Sequence, residues 1–179
     1  MTGHTASSRP EIALRPFQAG DLDFFATLAR DERVTRFVGD GQPWSTDHIH
    51  ERSMLALRHD ATNELGAVRW FVADEDGRPV GLFVSTRRET AVEIGYWVAP
   101  EQWGRGLAGA LVDHGLDALP SLYGTSEFSA RVSPDNTASA RALTRRHFLR
   151  QAHVDGLDIY LRSAVHAPST PIERPTGTQ

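Results

Sequence analysis

A single-domain mixed α/β fold, with a mostly antiparallel central sheet flanked by helices, is predicted by three features of this sequence. Apolar residues alternate in short runs through the middle of the chain, they recur at helical spacing before and after it, and a glycine-rich turn at 104–109 joins the last middle strand to an amphipathic helix. With 179 residues, 40% of them hydrophobic, the chain has the size of one domain with a sizeable core.

Taken in order, Ile12, Leu14 and Pro16 alternate with polar neighbours as a first strand, and Asp21 can cap a helix whose Leu22, Phe25, Leu28 and Ala29 share a face. Asp31 to Val38 reads as a second short helix. Residues 39–43 (GDGQP) form a loop, and Ser45 or Thr46 starts a helix running to about Arg58. Val68 to Ala73 and Pro79 to Ser85 make a hairpin around the turn residues 74–77, and Val92 to Val98 extends it to a meander. Pro100 stops that strand. Beyond the glycine turn, a helix with Leu107, Leu111 and Ala118 on one face runs until Pro120 ends it. His114 on this helix reads as a core histidine. A strand at Phe128 to Val132, a helix at Asn136 to Arg146, and a hairpin of Phe148 to Val154 with Leu157 to Leu161 around Asp155-Gly156 complete the order. Residues 1–10 and 164–179 are small, polar or proline-rich and read as flexible tails on a folded unit of residues 11–163.

Composition removes several chemistries. There is no cysteine, hence no disulfide framework, thiolate metal site or cysteine nucleophile. All 19 basic residues are arginine, so a Schiff-base lysine and a Walker lysine are both excluded. A net charge of −4 argues against a nucleic-acid partner. No metal is expected, because no HExxH or similar spacing links any of the eight histidines. The first ten residues lack a signal peptide's apolar run, and no segment approaches the roughly 18 apolar residues of a membrane span, so a cytoplasmic protein with no membrane partner is expected.

Residues 104–109 (GRGLAG) spell G-x-G-x-x-G after a strand and before a helix, where free amides and the positive helix end face an anion. A dinucleotide-binding unit would place this turn in the first βαβ, with an acidic residue ending the next strand. Here the turn follows a meander, and Glu127 begins its strand. The better reading is a pyrophosphate-bearing ligand held by the turn, with Arg105 as a cation inside it.

The run from Glu93 through Ala108, EIGYWVAPEQWGRGLA, resembles the acetyl-CoA-binding motif of the GNAT N-acetyltransferases, especially the ribosomal-protein N-terminal (RimJ/RimL-like) branch. Asn136 to Leu143, followed by Phe148, resembles the family's later segment, in which an asparagine precedes a helix and a phenylalanine begins the next strand. The resemblance covers about residues 11–163 and implies the GNAT fold and an acetyltransferase using acetyl-CoA as donor substrate. Strand Val92 to Val98 would splay from Phe128 to Val132, with pantetheine pairing near Trp97 and Val98 and the pyrophosphate on Trp103, Gly104, Arg105, Gly106, Leu107, Ala108 and Gly109. Asn136 would cap its helix and contact the cofactor, and the Ser139 hydroxyl would reach the CoA sulfur.

The match has departures. The Arg or Gln normally three residues before the central glycine is Trp103, and the tyrosine acid of many relatives is replaced by Leu143. The family's base carboxylate aligns with Val92, so Glu93 is a candidate base only if a bulge shifts the register; otherwise it is a carboxylate hydrogen-bonded within the sheet. Trp44, Arg69 and Trp70, with Asp40 and Glu51, lie in segments that wall the acceptor site in the family, so the resemblance implies an aromatic, acidic pocket suited to a cation. The resemblance implies direct attack by a primary amine, a protein N-terminus in the first instance and an aminoglycoside or polyamine in the second, with a homodimer as its quaternary counterpart. A non-catalytic acyl-CoA-binding module is the rival from another class.

Overall fold

A computed structural model describes residues 10–58 and 60–163; of the tails expected at 1–10 and 164–179, all but Pro10 lie outside the described residues. The described chain forms β1 (Ala13–Pro16), α1 (Leu22–Arg30), α2 (Glu32–Thr35), α3 (Thr46–Ala56), β2 (Val68–Glu75), β3 (Arg78–Arg87), β4 (Val92–Val98), α4 (Leu107–Tyr123), β5 (Phe128–Val132), α5 (Thr137–Thr144), β6 (Leu149–Val154) and β7 (Leu157–Arg162). One seven-stranded sheet runs in the order β1-β2-β3-β4-β5-β7-β6. Every pairing is antiparallel except β4 with β5, the two strands that α4 connects. None of the described helices is long and apolar enough to cross a membrane.

Two cores form because strand residues alternate between the sheet faces. Phe83, Val92 and Ile94 on one face meet Leu107, Leu111 and Leu119 of α4. Trp70, Val72 and Leu82 on the other meet Phe25, Leu28 and Ala29 of α1 and Ile49 of α3. Full burial of each such large side chain contributes on the order of 2 kcal/mol. The buried stripe of α4 is Leu107, Leu111, Gly115 and Leu119; Ala118 and His114, expected on that stripe, are exposed.

Both hairpins turn on two residues with positive φ, Asp76-Gly77 (51° and 75°) and Asp155-Gly156 (50° and 78°), as tight connections matching strand twist require. The first turn is therefore shorter than residues 74–77, and its strands reach Glu75 and Arg78. Pro120 does not end α4. The helix continues to Tyr123 and closes on Gly124, at φ 66°, whose amide donates to the Pro120 carbonyl. Ser45 caps α3 by accepting the His48 amide at 3.2 Å. Asp21, expected to cap α1, makes no such bond; it accepts Arg15 Nη1 and Nη2 at 2.7 Å each and the Gln18 amide at 2.8 Å. Arg15 also binds Asp74 on β2, so one guanidinium ties β1, the α1 entry and β2 together.

The Arg15 hydrogen bonds are the largest cause holding the Asp21 carboxyl below the ordinary carboxylate range. The resulting stability is complete above the unfolded value near 4 and is lost as pH falls through the lower folded value. Asp21→Asn is expected to cost about 2 kcal/mol at neutral pH. Its deficit against wild type should close below about pH 4, as measured by urea unfolding across that range. A Cβ on Gly115 would lie 2.2 Å from Phe83 Cζ. Gly115→Ala should therefore destabilise by about 2 kcal/mol in the same assay.

Candidate active site

β4 and β5 part after two residues. Val92 lies beside Phe128 and Glu93 beside Ser129, and no further pairing joins the two strands. From Ile94 to Val98, β4 keeps its antiparallel register with β3 while its other edge is left without a strand partner. A cleft of about 1060 Å³ opens at this split and extends to the loop between α2 and α3.

The chain turns into α4 at one end of the cleft. Gly104 and Gly106 hold φ of 78° and 80°, a region that other residues enter only with strain, and the helix starts at Leu107. Amides of the first helical turn have no partner within the helix, and the positive end of 17 helical residues points the same way. Gly104, Gly106, Leu107 and Ala108 all line the cleft. Trp103, half exposed, lines it too and donates Nε1 to the Val98 carbonyl at 2.9 Å. That carbonyl, expected near a pantetheine contact, thus already accepts a hydrogen bond from the protein.

Two residues of the turn behave otherwise. Arg105 makes a two-pronged ion pair with Glu75 at the end of β2, 2.8 Å at each contact, and also donates to Gln102. Its charge is spent there, holding the Glu75 carboxyl below its ordinary range, and Arg105 does not line the cleft. Gly109 makes room for Arg146: an added Cβ would lie 2.4 Å from the guanidinium, which grips Asp113 at 2.7 and 2.8 Å. It serves packing between α4 and α5.

Midway along the cleft, Asn136 caps α5 by accepting the Ser139 amide at 3.1 Å. This cap aims the first turn of α5 at β4. There the Ser139 hydroxyl lies 2.8 Å from the Tyr96 hydroxyl, and both residues line the cleft. Burial pushes the Tyr96 phenol above its ordinary value, so it stays protonated at neutral pH. Sequence reasoning missed Tyr96, although alternation along β4 from Val92 already sets it on the face that α4 and α5 cover. Leu143, where many relatives carry a tyrosine, is fully buried beside this pair and also lines the cleft.

Glu93 lies on the other face. The bulge that a base role would need is missing, since residues 92–98 pair with β3 in unbroken register. Its carboxylate accepts Arg88 Nη2 at 3.1 Å and Nε at 3.2 Å.

Beyond Trp97 the cleft is aromatic. Trp44 packs edge-on against Trp97 at 5.1 Å and against His48 at 4.4 Å, and Trp70 meets Phe25 at 5.0 Å. Trp44 and Trp70 line the cleft. Arg69 does not. One residue from Trp70 on a strand, it points to the opposite face, pairs in register with Ser85 and donates to the Val68 carbonyl at 2.9 Å. The acidic wall also fails: Glu51 is exposed and outside the cleft, and Asp40 and Glu93 are outnumbered there by Arg33, Arg36, Arg52 and Arg88. Among the described residues, no group of three or more His, Asp or Glu side chains is placed to hold a metal ion.

A sheet split beside a helix N-terminus is the arrangement that the resemblance to the GNAT acyl-group transferases implies. The chain belongs to that family, since the model of the acetyltransferase (GNAT) domain matches residues 11–149. It is an N-acetyltransferase that uses acetyl-CoA as donor. It is 28% identical over 145 residues to the uncharacterized N-acetyltransferase YoaA of Bacillus subtilis, covering 78% of this chain and 80% of that one. It is 32% identical over 152 residues to the mycothiol acetyltransferase of Clavibacter sepedonicus, covering 80% of this chain and 44% of that longer one. Among solved structures, spermidine N-acetyltransferase from Vibrio cholerae in complex with CoA and spermine superposes with a TM-score of 0.70 at 19% identity, over 84% of this chain and 92% of that one. Aminoglycoside acetyltransferase AAC(6')-Ib with ribostamycin and coenzyme A superposes with a TM-score of 0.70 at 20% identity, over the same shares of the two chains.

A Cβ on Gly106 meets nothing within 4 Å, so Gly106→Ala tests the backbone and Gly106→Trp tests the space in front of the turn. Both should fold with a similar loss of about 1 kcal/mol from the positive φ. Only Gly106→Trp should abolish acetyl-CoA binding in titration calorimetry.

Proposed function

We propose that this chain moves an acetyl group from acetyl-CoA to the primary amine at a polypeptide N-terminus, as in the RimJ/RimL-like branch it resembles. The observation that carries the transfer chemistry is the Tyr96–Ser139 hydroxyl pair standing where β4 leaves β5. The unpaired edge of β4 suits the amide groups of pantetheine, and the amides at Gly104, Gly106, Leu107 and Ala108 suit its pyrophosphate. Trp103 flanks that cradle, and Asn136 acts by aiming α5.

In this reading the acceptor amine enters past Trp44 and Trp70 in its neutral form. Its nitrogen forms the C–N bond to the acetyl carbon as the C–S bond breaks, and the proton it sheds passes to water in the open cleft. The departing thiolate takes a proton from the Ser139 hydroxyl, which is resupplied by Tyr96 2.8 Å away and finally by solvent. Tyr96 thus replaces the tyrosine that Leu143 displaces. Glu93, committed to Arg88, is given no part in the transfer. A polycationic acceptor such as spermine or an aminoglycoside suits the arginine-bearing wall poorly.

Ser139→Ala and Tyr96→Phe should each lower kcat by roughly 100-fold, the lower end of the range for a positioned acid, with KM for acetyl-CoA nearly unchanged. Because the two hydroxyls act in one relay, the double variant should be little worse than either single one. Steady-state rates of CoA release on a peptide acceptor read both results. Additive losses would separate the two hydroxyls.

A further inference from the structure

Charge in the acceptor half of the cleft runs against the rest of the molecule. The whole chain carries −4, yet this wall presents Arg33, Arg36, Arg52 and Arg88 against Asp40 and Glu93. Arg33 is held by Asp31 at 2.6 Å and Arg88 by Glu93. Arg36 lies over the Phe37 ring at 4.5 Å, and Arg52 lies 5.9 Å from the Trp70 ring; neither has a carboxylate partner among the described residues. Asp40, on the exposed loop, accepts the Gln42 amide at 3.1 Å.

Two donors on this wall are also buried without a protein acceptor, Arg52 Nε and Trp70 Nε1. Trp70 is only 5% exposed, and both residues line the cleft. An unpaired buried donor costs on the order of 1–3 kcal/mol, which a fold tolerates where a ligand supplies the acceptor. A guanidinium edge offers two parallel N–H groups, and an indole adds a third donor that cannot accept. A planar group with two anionic oxygens has acceptors enough for a guanidinium edge and an indole N–H together.

We infer that the acceptor is a primary amine carrying a carboxylate a few atoms away, with the carboxylate bound between Arg52 and Trp70 Nε1 and the amine directed along Trp97 toward the split. This rests on the amine-transfer reading above and adds to it the substrate class. Two sources offer that chemistry, a free amino acid and a polypeptide with an acidic first residue.

The test uses acceptor pairs that differ only in the charge of one group: alanine against alaninamide, and Asp-Ala-Ala-amide against Asn-Ala-Ala-amide, with spermidine as a cationic comparator. CoA release should show kcat/KM at least tenfold higher for the carboxylate member of one pair, and which pair responds names the source. Arg52→Gln should shrink that ratio to about threefold or less while leaving acetyl-CoA affinity unchanged. Trp70→Phe, which keeps a ring and removes the N–H, should lower it in part. Equal rates within both pairs, spermidine faster than either acid, or an unchanged ratio in Arg52→Gln overturns the inference. If no amine releases CoA, the transfer reading is what fails. Calorimetry of the same pairs on the CoA-saturated protein then decides the carboxylate question by itself, with tighter binding of the acid supporting it and equal binding overturning it.

Discussion

Everything in this molecule that bears on chemistry depends on β4 and β5 sharing only two residues of parallel pairing. Had the pairing continued beyond Glu93 and Ser129, the backbone edge of Ile94 to Val98 would have been consumed in a ladder and the cleft would not exist. Fully buried Leu143 and half-buried Tyr96 belong to the core that α4 covers and line the opening, and the Tyr96–Ser139 contact fastens α5 to β4. The same constraint that interrupts the sheet therefore positions the hydroxyl pair.

Ion pairing complements this arrangement in an orderly way. Arg15 ties β1 to the α1 entry and β2, Arg105 ties the glycine turn to the end of β2, and Arg146 ties α5 to α4. Each places a cation where two elements meet, and each withdraws that cation from the cleft. A chain with no lysine uses the planar, two-pronged geometry of arginine for all three. Arg36 and Arg52, without carboxylate partners among the described residues, stand apart from these pairs on the wall of the cleft.

Local signals carried most of the fold. β4 and β5 ran where alternation placed them, the Asp155-Gly156 turn formed where expected, and Asn136 capped α5. These features depend on spacing, turn conformation and capping within a few residues, which a single sequence records directly. Pro120 misled because a proline inside the last turn of a helix loses only one backbone bond, and Gly124 supplied the actual stop. Asp21 misled because a carboxylate near a helix start serves a distant guanidinium as readily as a nearby amide.

The candidate site divides along the same line. From the sequence came the glycine turn, the Asn136–Ser139 segment and the strand that ends at Val98, all marked by local spacing or by a linear motif, while Trp44 and Trp70 came from the family resemblance of their segments. Tertiary structure decided what each charge and hydroxyl does. Arg105 meets Glu75 across 30 residues and Tyr96 meets Ser139 across 43. Arg69 and Trp70, adjacent in the chain, fall on opposite faces of the sheet. Electrostatic and hydrogen-bonding partners are chosen by distance in space, and the register that sets those distances is a property of the whole sheet.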